Sequence, residues 1–135
     1  MDRRLGASGV RRIEVRPTVA DDLPHFFEDP LPWRIRAMTG VVNGEPVGIG
    51  GVAFPPGGGV LAFAAFDDEA RRFPVAMHRA GLRLMRELRE AGVTSVRTLP
   101  EANIAAAERW LERLGFRPTD RIDDMVIWTW HSSRS

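Results

Sequence analysis

The chain has no cysteine, which excludes a disulfide, a thiolate nucleophile and a Cys-ligated metal. It also lacks tyrosine, glutamine and lysine, so all 19 basic residues are arginine. The arginine-only set reads as a coding bias. With a net charge of +1 the balance does not point to nucleic acid. No apolar run approaches the ~20 residues that would span a bilayer. Arg3 and Arg4 near the N-terminus are followed by no apolar stretch, so no signal peptide is read there. No metal site is expected, and these absences together suit a cytoplasmic protein.

What remains is one domain of ordinary size. A length of 135 residues can bury a real core, and 44% hydrophobic with 27% charged content is that of a globular chain. Residues 1–10 read as a disordered leader, 11–131 as the domain and 132–135 as a tail. The cluster Arg3, Arg4, Arg11 and Arg12 is either a contact for an acidic partner or simply solvated.

The run Ile13 to Val15 alternates and is broken at Pro17. A short helix is expected over Ala20–Phe27, with Thr18 as N-cap and Asp21 and Asp22 in its first turn. Two strands, Ile35–Val42 and Pro46–Phe54, flank Asn43-Gly44, a hairpin signal because a type I′ turn needs positive φ at both positions. Gly48, Gly50 and Gly51 interrupt the second strand and predict a bulge or a close backbone approach. Val60–Phe66 is apolar throughout and predicts a central strand covered on both faces. A helix over Pro74–Glu90 follows from Met77, Gly81, Leu84, Met85 and Leu88 on one stripe, with Arg83–Glu87 and Arg86–Glu90 pairs on the wet side. Gly92 closes it. A strand over Val93–Leu99, a helix over Asn103–Leu114 and a strand over Met125–Trp130 complete the order β-α-β-β-β-α-β-α-β. That order predicts an α/β fold with a mixed, mainly antiparallel sheet and helices on both faces.

The segment from Asn103 to Arg117, N-I-A-A-A-E-R-W-L-E-R-L-G-F-R, resembles the acyl-CoA-binding helix of the GNAT N-acetyltransferase superfamily, usually N-x-x-A-x-x-x-Y-x-x-x-G-F. The resemblance covers nearly the whole chain from Ile13 onward and implies a single GNAT-type domain, with one of the two usual N-terminal helices reduced to the loop around Leu31. It implies acetyl-CoA as co-substrate and an amine, small molecule or peptide, as acceptor. Strand amides near Phe66 would hold the acyl carbonyl, and the loop Arg71-Arg72-Phe73-Pro74-Val75-Ala76 would wrap the pyrophosphate through amides at a helix N-terminus. Asn103 would lie by the pantetheine arm, as a helix cap alone or in both roles.

Two positions depart from the pattern. Pro74 stands where the first glycine of the loop is usual and supplies no N–H, although it starts a helix well. Trp110 replaces a tyrosine that often acts as general acid, and indole does not titrate in a useful range. Trp110 is therefore read as a core anchor with Ala107, Leu111 and Leu114. Asp67, Asp68 and Glu69 read as caps rather than a base, and His78 as a half-buried structural histidine. Trp128 and Trp130 share a face and either wall a groove or cover a sheet edge.

The block Ala70–Pro74 (A-R-R-F-P) together with R-W-L-x-x-L-G-F over Arg109–Phe116 is similar to GNAT-like proteins encoded among tailed-phage and prophage structural genes. Two functions of different class follow. One is an acyl-CoA-dependent N-acetyltransferase with an unassigned catalytic residue. The other is a catalytically degenerate GNAT-fold binding or structural protein associated with a virion.

Overall fold

The Asn43-Gly44 dipeptide forms the turn its sequence predicts: φ is 53° at Asn43 and 82° at Gly44. In the computed structural model, which describes residues 12–98 and 105–132, this turn joins β2 (Arg34–Val42) to β3 (Glu45–Phe54). β1 (Glu14–Pro17) pairs with β2 on the other side and takes in Pro17, which an edge position tolerates. β4 (Leu61–Phe66) follows β3, then comes α1 (Pro74–Glu90), β5 (Ser95–Thr98), α2 (Ala105–Leu114), β6 (Arg117–Ile122) and β7 (Met125–His131). The sheet runs β1-β2-β3-β4-β5-β7-β6, and every neighbouring pair is antiparallel except β4 with β5.

β6 was absent from the expected order. Its sequence Arg-Pro-Thr-Asp-Arg-Ile has no alternation, and all six residues are exposed on the sheet edge. Nothing apolar marks such a strand, and its polar surface and Pro118 guard the edge against further pairing. The hairpin turn into β7 places Asp123 at φ 54°.

Both α-helices lie on one face. Met85 and Leu88 of α1 and Leu111 and Leu114 of α2 bury against Val52, Val96, Trp128 and Trp130 of the sheet. Trp128 and Trp130 are therefore core residues, not the walls of a groove or covers of an edge. Their shared face is the helix-covered one. The α1 stripe behaves as its spacing predicts. Of the two expected wet-side pairs, Arg83–Glu87 forms at 3.2 Å, and Glu87 also accepts from Arg36 of β2 at 3.1 Å, whereas no such bond joins Arg86 to Glu90.

The opposite face is covered, among the described residues, by the N-terminal segment. The helix expected over Ala20–Phe27 is a 3-10 helix over Ala20–His25, and Pro24 inside it removes a donor that an α-helical ladder would use. Thr18 is not its cap, since the flanking residue is Val19 and the Thr18 hydroxyl instead meets the Thr39 hydroxyl at 2.8 Å. Nor is Asp22 an ordinary first-turn acid. It is 2% exposed and takes both guanidinium nitrogens of Arg16 (2.7 and 2.9 Å), the Val19 N–H (2.9 Å) and the Thr39 hydroxyl (3.0 Å). These donors, Arg16 first, hold the Asp22 carboxyl well below the usual carboxylate range. The network ties β1, the 3-10 helix and β2 together.

Gly51 faces Ala37 across the β2–β3 ladder, where a Cβ would overlap the Arg36 carbonyl and the Ala37 side chain. A second glycine effect is the expected bulge. The register shifts between Gly40, opposite Gly48, and Val41, opposite Pro46, leaving Val47 as the extra residue.

Asp22→Ala removes the acceptor shared by the Arg16 guanidinium, the Val19 N–H and the buried Thr39 hydroxyl, which keeps the Thr18 hydroxyl. Because Arg16 keeps a third of its side-chain surface in water, the expected cost is toward the low end of a broken buried pair, about 3 kcal/mol. A depressed carboxylate contributes stability above its unfolded pKa and loses it as pH falls. Denaturant melts should therefore show wild type weakening below about pH 4 and Asp22→Ala changing less over the same range.

Candidate functional site

Among the described residues β4 and β5 meet at the start of β4. Leu61 pairs with Arg97, the Arg97 N–H reaches the Val60 carbonyl at 3.0 Å, and Thr98 is the last described residue of β5. On its other side β4 is fully paired with β3, and the Asp67 N–H donates to the Val47 carbonyl at 3.0 Å. Antiparallel pairing alternates inward and outward groups. The N–H and C=O of Leu61, Phe63 and Ala65 therefore point to β3, and those of Ala62, Ala64 and Phe66 point to the β5 side, where the parallel pairing of Leu61 with Arg97 directs the Ala62 N–H to the Arg97 carbonyl. β4 is not covered on both faces along its whole length as its composition predicts, since Leu61 and Ala64 are exposed.

The end of β4 leads directly to the start of α1. Asp67 Oδ1 accepts the Ala70 N–H at 3.1 Å, so Asp67 caps the 3-10 turn Ala70–Arg72 rather than the long helix that the cap reading assigns to it, whose N-cap is Phe73 without a side-chain bond. Asp68 makes an exposed pair with Arg71 at 3.4 Å. The turn uses up amides that a bound anion would otherwise take: Arg71 N–H goes to the Asp67 carbonyl, Arg72 N–H to Glu69 and Phe73 N–H to Ala70. Pro74 has none. The first helical hydrogen bond runs from Met77 N–H to the Phe73 carbonyl at 3.0 Å. Val75 and Ala76 are therefore the helix-opening amides without an intrahelical acceptor. Val75 is 63% exposed, and the Arg71 and Arg72 side chains are exposed beside it. Of the expected loop, two backbone donors and two exposed guanidiniums remain to face an anion, that of Arg71 being paired with Asp68, and Phe73 instead packs into a small core with Val42, Val47, Ala70 and Met77.

Trp110 sits between these parts. Its ring meets Phe66 edge-on, with centroids 5.5 Å apart, and Gly81 of α1 leaves it room, since a Cβ there would come within 3.3 Å of its ring. This is the core-anchor role, and it reaches the last residue of β4. The indole nitrogens of Trp110 and Trp128, the Nε of Arg89 and the Nδ1 of His78 are buried without a hydrogen-bond partner among the described residues. His78 is half-buried as expected. Asn103 lies outside the described residues, as does Leu99, where β5 was expected to end. Among the described residues no group of three His, Asp or Glu is placed to hold a metal.

No protein-family model matches the chain, and no curated protein matches it in sequence. Solved structures do. The ribosomal-protein-S18-alanine N-acetyltransferase from Escherichia coli superposes with a TM-score of 0.70 at 20% identity, over 92% of this chain and 96% of that one. An acetyltransferase of the GNAT family from Staphylococcus aureus gives 0.67 at 10% identity, over 89% and 99%. The protein has the GNAT fold. An aminoglycoside acetyltransferase solved with coenzyme A and kanamycin shares the same fold at 14% identity and a TM-score of 0.62, over 89% of this chain and 95% of that one. At such identities the likeness concerns backbone architecture, and the GNAT fold by itself names no substrate.

One strand residue was missed by sequence reasoning. Arg97 was passed over as a strand residue, although an arginine between Val96 and Thr98, both buried, must point to the other face.

Trp110→Ala removes the Phe66 contact and leaves a space beneath Gly81. For a half-buried tryptophan about 2 kcal/mol of lost stability is expected, less than for a fully buried one. Equilibrium unfolding in urea measures it.

Proposed function

We propose that the protein is an acyl-CoA-dependent N-acyltransferase that passes an acetyl group from acetyl-CoA to an amine. The observation that supports the reading is the GNAT fold, which this chain shares with acetyltransferases solved with acetyl coenzyme A or coenzyme A. In this reading strand amides near Phe66 hold an extended, amide-bearing arm such as pantetheine. For a pyrophosphate the chain offers the Val75 and Ala76 amides, the positive end of α1 and the Arg71 and Arg72 guanidiniums. Asn103 is assigned to the pantetheine arm.

In this reading acetyl-CoA brings the activated acyl group, and the chain holds it. Strand amides near Phe66 polarise the acyl oxygen. The amine nitrogen bonds to the acyl carbon as the C–S bond breaks, the electron pair leaves on sulfur, and the amine proton passes to water. Holding both reactants in one cleft supplies most of the rate. Trp110 donates no proton. The protein would work in the cytoplasm, where its co-substrate is made.

A second reading is supported by the spent amides of Arg71, Arg72 and Phe73, by Pro74 and by the core role of Trp110. It is a GNAT-fold binding or structural protein without transfer chemistry, of the phage-associated kind that A-R-R-F-P and Trp110 resemble.

Acetyl-CoA separates the two. At a hundredfold excess over Kd, ligand binding adds about 2.7 kcal/mol of stability, seen as a higher melting temperature. A melting temperature unmoved at millimolar acetyl-CoA would remove the first reading. Where binding is seen, Arg71→Ala with Arg72→Ala should weaken it about tenfold, the size of a lost charge-assisted contact. Unchanged affinity would discard the assignment of that loop.

A further inference from the structure

At the end of the sheet where β4 and β5 both begin lies a depression of about 260 Å³ that neither functional reading uses. Gly58 and Gly59, before β4, line one side of it. Gly92, Thr94 and Ser95, between α1 and the start of β5, line the other, and Arg97 lines it as well. A Cβ placed on Gly58, Gly59 or Gly92 meets no atom within 4 Å, so these walls are bare backbone that a ligand can approach closely. The length of β4 puts about 17 Å between this end and the loop before α1.

The polar side chains around it are donors without an acid. Arg97, Thr94 and Ser95 are exposed, and no ion pair or side-chain hydrogen bond engages them among the described residues. No carboxylate is among the lining residues. The Ser95 N–H joins these donors. The alternation that sends the Arg97 N–H to the Val60 carbonyl turns it to the same side, and no backbone acceptor meets it among the described residues. The C-terminal end of α1 is adjacent through Gly92, and its negative pole would oppose an anion. It is blunted here, because the carbonyls of Glu87, Leu88 and Arg89 accept the N–H groups of Ala91, Val93 and Gly92. A guanidinium fork, two hydroxyls and an amide outnumber the two oxygens of a carboxylate. They match a phosphoryl group, which presents three oxygens and close to two negative charges. The volume beyond one such group is flanked by the half-buried Val60 and Val93.

From this juxtaposition we infer that the depression binds a phosphoryl group, free or as the head of a small monoester. Arg97 is its charge partner, and the Thr94 and Ser95 hydroxyls with the Ser95 N–H complete the donor set. The site requires neither the acyl-transfer reading nor its alternative.

The test titrates the full chain at fixed ionic strength with inorganic phosphate, phenyl phosphate and benzoate, and follows the backbone amide signals by NMR. Both phosphates should shift the signals of Gly58, Gly92 and Ser95, and benzoate should bind far more weakly. Tighter binding of phenyl phosphate identifies an ester as the ligand, and tighter binding of inorganic phosphate the free ion; either supports the site. Arg97→Ala should weaken phosphate about tenfold, the loss of one hydrogen-bonded charge pair, and Arg97→Lys should weaken it less. Thr94→Val with Ser95→Ala should weaken it by a smaller factor than Arg97→Ala. All three residues are exposed, so the variants keep the fold, which a melting curve verifies. The inference is overturned by no binding at millimolar phosphate, by benzoate binding as tightly as phenyl phosphate, or by unchanged affinity in Arg97→Ala. Shifts confined to the amides of Arg71 to Ala76 would overturn it as well, since they place the phosphate at the loop before α1.

Discussion

The structure turns on one constraint: a central strand cannot leave its backbone groups without partners. β4 is satisfied on the β3 side along its whole length, and on the β5 side the described pairing is that of Leu61 with Arg97. Other features of the molecule fix the far end of this strand. Phe66 meets Trp110 on the helix side, Gly81 lets α2 approach α1 closely enough for that contact, and the Asp67 cap turns the chain from β4 into α1.

The far side of the sheet is held by different physics. Asp22 is buried and ionised because four donors converge on it, and this cluster replaces the apolar packing a longer N-terminal helix would provide. A buried ion pair is a poor source of net stability but a strict geometric specification. It sets where the segment from Thr18 to Phe27 crosses the sheet, and hence where Phe27 reaches Phe63. The covered and open parts of that face are decided there.

The loop before α1 has fewer free amides than its sequence resemblance implies. Six residues, Arg71 to Ala76, resemble a phosphate-wrapping loop, yet three of their amides bond within the turn and a fourth is missing at Pro74. Spacing cannot tell an amide that faces solvent from one that faces its own turn, since both have the same sequence. Trp110 is a similar case. Its chemistry, a donor without a useful titration, follows from residue type, while its contact with Phe66 is a fact of packing.

Local sequence determined the parts governed by local physics. Asn43-Gly44 set the β2–β3 turn through positive φ, the 3.6-residue stripe set α1 and its buried face, and Gly92 set its end. Tyrosine's absence ruled out a phenolic acid before any coordinates. The edge strand β6 escaped notice because a wholly exposed strand carries no hydrophobic period, and Asp22 was read as a surface acid because its partners lie at Arg16, Val19 and Thr39. Tertiary structure alone decided the pairing of Leu61 with Arg97, the side on which Arg97 emerges, and which amides before α1 remain available. Each depends on pairing between segments distant in the chain, and hydrogen-bond partnership at that range leaves no mark on the order of residues.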